Sequence, residues 1–377
     1  MTPRHYQKRA IAFLCKSQRA ILQAPAGSGK TFMACYALNE CLKRRTKSEK
    51  ARVAILCNTQ DQVAQWEETL ANFDGIRDRA NIEVGCAAGN INTDVNLLIV
   101  DECHRAAAPT WVKKINRARH ARWALSATPF CEDDERNKVL VDLFGREMHT
   151  IERDQLVEDG HLTKAQVNWL DASSQGINQR IGSLADELIM KRRKKVPYLF
   201  RSAEGERKQI NQCRWQAAQQ VGLWDNDSRD YAIIREANKR IQDGHSVIVL
   251  IGKIEHGERL HPAISESVLC FSKMGAKRRR EAIEQFRTGK IRCLIGTSML
   301  DEGFDAPIAD CLIIASAGKS FRKSVQSTGR VLRPHDGKDA GIVVDFIDSF
   351  NSMLSRQAAQ RKKIYKDLKY SQKRIDS

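Results

Sequence analysis

Residues 19–43 read RAILQAPAGSGKTFMACYALNECLK. An apolar run suited to a buried strand leads into a Gly-rich loop, and the loop opens a helical stripe. Met33, Ala37 and Cys41 recur at four-residue spacing beside Ala34, Leu38 and Leu42, the period of one helix face. Strand-like runs recur at ARVAILC (51–57), VNLLIV (95–100) and RWALS (122–126). Strands alternating with helices in this way predict a parallel sheet covered by helices on both faces. From about residue 231 the pattern restarts, with SVIVLIG (246–252), SVLCF (267–271), IRCLIG (291–296), DCLIIA (310–315) and GIVVDF (341–346), and KRRREAIEQF as a helix between two of them. The expected fold is therefore α/β, with two tandem parallel-sheet domains. The expected boundaries are 1–170, a basic and mostly helical linker or insert at 171–230, a second α/β domain at 231–350, and a basic C-terminal helix at 351–377.

The loop APAGSGKT (24–31) stands where the first strand meets the first helix, the context a phosphate-cradling loop requires. Gly27, Ser28 and Gly29 can bring backbone N–H groups close to phosphate oxygens. Lys30 can reach the β and γ phosphates, and the Thr31 hydroxyl can bind Mg²⁺. The helix N-terminus adds partial positive charge. Ala24 replaces the first glycine of the general pattern, and taken alone the motif could be a chance Gly-rich turn.

A second stretch, IVDECHRA (99–106), carries two carboxylates after an apolar run, then a cysteine and a histidine. Four readings compete: a metal site, a Cys–His nucleophile, an acid/base pair, or an ordinary turn. A phosphate loop favours the third, because nucleoside-triphosphate hydrolysis needs an acidic element at the end of a neighbouring strand. Asp101 then holds Mg²⁺ and Glu102 orients and deprotonates the attacking water. No third metal-ligand cluster is visible, and Cys103 reads as a small spacer.

Composition limits the rest. The chain has 377 residues, 42% hydrophobic and 29% charged, ample for two or three cored domains. No run of eighteen apolar residues predicts a membrane span, and MTPRHYQKRA lacks a signal-peptide core. Eleven cysteines are scattered without a CxxC pair, which suits reduced thiols in a cytoplasmic protein rather than a disulfide framework. The net charge of +17 and the pI near 9.5 point to a polyanionic partner.

With these motifs in place the chain resembles the superfamily-two, DExH-type ATP-dependent helicases and translocases. Tyr6-Gln7 resembles the adenine-reading motif, APAGSGKT motif I, DECH motif II and SATP (126–129) motif III. TSMLDEGFDAP (297–307) resembles motif V and QSTGRVLRP (326–334) motif VI. The Gln326-x-x-Gly-Arg-x-x-Arg form and the histidine of DECH resemble the XPB, RadD and UvsW group and the restriction-enzyme motor subunits. The resemblance implies two RecA-like domains with the nucleotide site in the cleft between them, ATP and Mg²⁺ as cofactors, and named roles. Gln7 bonds adenine. His104, Ser126 and Thr128 relay the nucleotide state between domains. Gly303 and Asp305 lie near ribose and phosphates, and Arg330 and Arg333 act as arginine fingers. Thr59, in NTQDQVAQW (58–66), and Thr297 contact backbone phosphates. Read singly, Ser126 and Thr128 could cap a turn, and Arg330 and Arg333 could be surface charges. One departure is Cys131, which stands where XPB-like proteins carry the arginine of an Arg-Glu-Asp element.

Three basic segments remain. Residues 178–215 hold 10 Lys/Arg against 4 Asp/Glu, and 351–377 hold 8 against 2. KRRR (277–280) reads as a solvated helix face. Lys191, Arg192, Arg193, Lys194 and Lys195 form the candidate DNA-gripping cluster, the rival being a solvated linker. Trp66 could stack on a base or lie in the core. The expected activity is ATP-driven movement on duplex or branched DNA in replication, repair or recombination. The expected state is a monomer on DNA, in a bacterial or phage-infected cytoplasm. The alternatives are an RNA helicase, a motor subunit of a larger DNA-processing complex, or a binding module that has lost catalysis.

Overall fold

The computed structural model describes residues 2–46, 49–118, 120–130, 133–172, 176–297, 308–316 and 340–375. The chain forms two compact units that meet in sequence between Leu162 and Thr163.

The first unit runs α1 (His5–Lys16), β1 (Arg19–Gln23), α2 (Lys30–Lys43), β2 (Ala51–Cys57), α3 (Gln60–Ala71), α4 (Ile76–Arg79), β3 (Ala80–Cys86), β4 (Leu97–Asp101), α5 (Pro109–Ile115), β5 (Ala121–Ser126), α6 (Asp134–Phe144), β6 (Met148–Thr150) and α7 (Arg153–Glu158). Its six strands are all parallel, in the order β3-β2-β4-β5-β1-β6. Central strands of such a sheet are covered on both faces, so they read as continuous apolar runs. Every residue of β4 is accordingly buried, as is every residue of β2 except Arg52. The two sides of the sheet form separate cores, one under α1, α2 and α3, the other under α5 and α6.

The second unit runs β7 (Lys164–Leu170), α8 (Ile177–Lys195), α9 (Ala203–Gln219), a π-helical turn (Gln220–Trp224), α10 (Asp227–Gln242), β8 (Val247–Leu250), α11 (Ile254–Leu260), β9 (Ser267–Cys270), α12 (Ala276–Arg287), β10 (Cys293–Gly296), β11 (Cys311–Ile314), β12 (Ala340–Phe346), α13 (Ser352–Asp367) and β13 (Ser371–Arg374). Its seven strands are also parallel, ordered β13-β7-β12-β11-β8-β10-β9.

Three boundaries differ from expectation. Residues 164–170 belong to the second unit, because β7 pairs with β12 over seven residues from Lys164↔Ala340 to Leu170↔Phe346. The stretch 171–230 is no free linker: α8, α9 and the π turn bury Ile177, Ile181, Ala185, Ala217, Ala218, Val221 and Leu223 with Leu354 of α13. The tail is more than a helix, since β13 adds a strand beside β7. Among the described residues every cysteine is free, and no helix is long and apolar enough to cross a membrane.

Candidate active site

β4, β5 and β1 are neighbours in the first sheet, so the segments that leave their C-terminal ends converge. They are DECH after β4, SAT after β5 and APAGSGKT after β1.

The loop after β1 is shaped by glycine and by α1. Gly27 and Gly29 have φ of 85° and 83°, a region that only glycine enters freely. A Cβ on Gly29 would also lie 2.9 Å from Gln7 Nε2. The Gln7 amide is engaged at both ends. Its Oε1 accepts from Arg4 N at 3.0 Å, and its Nε2 donates to Ser28 O at 3.1 Å and Tyr6 Oη at 3.4 Å. Tyr6 Oη donates to the same Ser28 carbonyl at 3.0 Å. Gln7 thus ties α1 to the loop here, and bonding to adenine requires it to exchange those partners. The Ser28 hydroxyl turns inward to Pro25 O at 2.8 Å, which leaves its contribution to the backbone. Lys30 Nζ donates to Ala24 O at 3.0 Å and Pro25 O at 3.4 Å, neutral acceptors that an anion outcompetes. Thr31 lies next on α2, whose first turn carries no acidic residue. A helix N-terminus, permissive glycines and a lysine held only by carbonyls fit a nucleotide phosphate.

Opposite stand the two carboxylates. Asp101 Oδ1 accepts from Glu102 N at 2.9 Å and its Oδ2 from Trp66 Nε1 at 3.0 Å. Burial, then the Glu102 charge, pushes the Asp101 carboxyl up to about 6 against the indole, Lys30 and the Glu102 amide. Burial also opposes ionisation of Glu102, but the His104 hydrogen bond and the Lys30 charge outweigh it and hold this carboxyl below its ordinary range. The surroundings thus favour the charged form of Glu102, which water activation requires, while burial works against the charged form of Asp101. Glu102 sits at φ 50°, the left-handed region that few non-glycine residues enter, as do Glu266, Asp348 and Lys369 outside this site.

His104 Nδ1 lies 3.2 Å from Glu102 Oε2 and 3.3 Å from Ser126 Oγ. Ser126 Oγ donates to Glu102 Oε2 at 3.5 Å and accepts from Thr128 N at 3.1 Å. All three expected coupling residues thus form one chain with the expected base, Thr128 joining through its backbone. Cys103 is fully buried in the apolar core, and burial pushes its thiol far up, so the Cys–His nucleophile reading fails. No group of three or more His, Cys, Asp or Glu among the described residues gathers to hold a metal.

Elsewhere the expected residues are placed as follows. Thr59 caps α3, its Oγ1 accepting from Gln62 N at 3.3 Å while Gln62 Oε1 takes the Asn58 and Thr59 amides. Those two amides are committed to the cap. Thr297 follows β10 at the C-terminal edge of the second sheet. Gly303, Asp305, Arg330, Arg333 and Cys131 lie outside the described residues. Lys191 to Lys195 form the last turns of α8, exposed except for half-buried Arg192. Lys191 pairs with Glu187 and Arg193 with Glu206. Arg192 donates to Gln212 at 2.9 Å, and Arg193 also lies over the Phe200 ring at 5.2 Å. Trp66 is wholly buried, which removes it from base stacking. Its role beside Asp101 was missed, the one available signal being that a buried indole N–H needs an acceptor.

Comparison with known proteins matches residues 1–93 to the family described as type III restriction enzyme, res subunit, and 231–335 to the helicase conserved C-terminal domain. A protein provisionally named helicase 22, from Sulfolobus islandicus filamentous virus, is 23% identical over 87% of this chain and 60% of its own length. The DNA 3′-5′ translocase XPB2 of Sulfurisphaera tokodaii is 21% identical over 88% of this chain and 79% of its own. The chain spans 52–60% of the length of the viral and haloarchaeal relatives. The fragment structure of a provisionally assigned HsdR subunit of a type I restriction enzyme from Vibrio vulnificus superposes with a TM-score of 0.66 at 18% identity, over 99% of this chain and 68% of that one. It shares the fold, two tandem RecA-like units of parallel sheet and flanking helices. The motifs, the two parallel sheets and the matches to both halves agree, and together they resemble the superfamily-two helicases, in the part related to XPB and the restriction motor subunits.

Proposed function

We propose that the chain is an ATP-dependent DNA translocase or helicase that works as a monomer on DNA in the cytoplasm. The observation that carries this reading is the convergence of Lys30, Asp101, Glu102, His104 and Ser126 at the edge of one sheet, in a chain whose family supplies a second RecA-like unit.

The residues present suggest the following roles. Lys30 leaves the Ala24 and Pro25 carbonyls for the β and γ phosphates, and the α2 N-terminus holds the phosphate oxygens. Thr31 and Asp101 hold Mg²⁺, which when bound offsets the negative charge on the transferred phosphoryl group. Glu102, kept ionised by His104 and Lys30, orients the attacking water and takes its proton. Gln7 exchanges Ser28 for adenine. His104, Ser126 and Thr128 move with Glu102 when the γ phosphate departs. By the family resemblance Arg330 and Arg333 act as arginine fingers on the transition-state charge, and Gly303 and Asp305 meet ribose and phosphates. Thr59, Thr297 and the α8 cluster bind phosphates without reading bases. The 3′–5′ direction in the name of the XPB2 relative is the polarity we assign.

The test is ATP hydrolysis measured side by side with duplex DNA, single-stranded DNA and RNA of equal length. Stimulation by DNA above RNA is the expected result. Stimulation by RNA alone would make the chain an RNA helicase, and none by any polymer would remove the motor.

A further inference from the structure

We propose that Trp66 is a positioning residue that links the nucleic-acid-facing end of α3 to the Mg²⁺ carboxylate. The inference deepens the function proposed above and rests on it.

Asp101 is held by two neutral donors. One, the Glu102 amide at 2.9 Å, is local and moves with the loop. The other, the Trp66 indole at 3.0 Å, comes from a different element. Together they fix both carboxylate oxygens and hence the plane that faces a metal. The indole itself cannot shift independently of α3, because it is fully buried among apolar residues on that side of the sheet.

Trp66 stands midway along α3, and the residue that caps the N-terminus of the helix is Thr59. It is joined to the helix by a reciprocal cap, Thr59 with Gln62, the arrangement that makes a helix start stiff. Seven residues, about two turns and about 10 Å of rise, separate Thr59 from Trp66 and leave them near one face. A phosphate drawn to the Thr59 hydroxyl therefore pulls on a rigid rod whose far side chain holds Asp101. Packed interiors pass on such shifts rather than absorb them. A structural indole needs only some acceptor. Here the acceptor is the metal carboxylate, reached across 35 residues.

The test compares the wild type with Trp66→Phe, which keeps a buried aromatic ring and removes the N–H. Two quantities are read. The first is the Mg²⁺ concentration giving half-maximal binding of a fluorescent ATP analogue. The second is the DNA-stimulated over the basal ATPase rate at saturating Mg²⁺. We expect the half-maximal Mg²⁺ concentration to rise about tenfold and the stimulation ratio to fall towards one, with DNA affinity retained. Thermal melts monitor folding, and Gln62→Ala, which breaks the cap and leaves the indole in place, is the second variant. It should lower the stimulation ratio and leave the Mg²⁺ midpoint unchanged. Unchanged values of both quantities in folded Trp66→Phe would make the indole simple core packing. If wild-type protein binds the ATP analogue but no polymer stimulates it, the functional reading fails. The Mg²⁺ midpoint then still decides whether Trp66 positions Asp101.

Discussion

Each unit carries an aspartate at or next to the end of a parallel strand in almost the same words, LLIVD closing β4 and GIVVD one residue short of the end of β12. Asp101 meets an indole and a backbone amide, both neutral. Asp345 meets Arg361, with Nε to Oδ2 at 2.8 Å and Nη2 to Oδ1 at 3.0 Å, and Tyr365 Oη at 3.2 Å. Arg361 also donates to Phe346 O at 2.9 Å, so the group is a closed lattice that clamps α13 to its sheet. A second clamp pairs buried Arg229 with Asp348 at 3.0 Å over the Phe346 ring. The same local sequence thus serves two ends. A strand-end carboxylate with its own cation is structural, while one left with neutral donors keeps its charge available for a ligand.

The sharpest break of that comparison is at the residue after Asp101. Glu102→Gln keeps the shape and removes the proton acceptor. Steady-state hydrolysis should fall about 10²–10⁴-fold, with affinity for a fluorescent ATP analogue close to wild type. Turnover that persists in the variant would mean that the open carboxylates of the first unit are not its chemistry.

The next effect is on stability and falls on the other unit. Arg361→Met leaves Asp345 buried without its cation. Losing one partner of a buried pair costs about 3–5 kcal/mol, a large part of a domain's margin, so chemical denaturation should show the second unit unfolding early. Nucleotide binding by the first unit should survive in the same sample. A variant as stable as wild type would show that the lattice around Asp345 is dispensable and that closure by a cation does not separate the two aspartates.

Much of this was legible in the chain itself. The runs 51–57 and 341–346 are β2 and the body of β12, and TFMACYALNECLK fills α2 from its second residue, because buried parallel strands and one-sided helices leave unbroken periodic signals. The strands that escaped notice are those whose signal is diluted. β3 (ANIEVGC) and β7 (KAQVNWL) mix polar residues into their runs, β6 has three residues, and β13 (SQKR) contains no apolar residue. Its place depends on a register with β7 more than 200 positions away, which no local pattern reveals. Within the site, the residue types at the loop and at DECH carried their chemistry in sequence. Their partners did not: Ser28 as the acceptor for Tyr6 and Gln7, and Trp66 as the donor to Asp101, are tertiary contacts.

The smallest expected effect tests whether the second unit's exposed charges differ from its buried ones. Lys191 to Lys195 lie at the end of α8, exposed except for half-buried Arg192, and they are not equivalent. Lys191 and Arg193 pair with Glu187 and Glu206, and Arg192 reaches Gln212. Such exposed pairs contribute little to stability, so replacing all five residues by glutamine should leave the melt nearly unchanged, unlike Arg361→Met. The replacement should act on DNA instead, weakening binding to all sequences alike, since phosphate contacts carry no base information. Each lost contact should make the slope of log affinity against log salt shallower by about 0.7–0.9. A change of about 1.4–1.8 would then assign two contacts, pointing first to Lys194 and Lys195, whereas about 3.5–4.5 would mean that all five abandon their present partners for the backbone. A double variant of Lys194 and Lys195 separates these cases. Basal ATPase should persist in both variants, because none of the five belongs to the nucleotide loop or to DECH. Identical slopes in a folded five-fold variant would make the end of α8 a solvated face and leave Thr59 and Thr297 as the phosphate contacts.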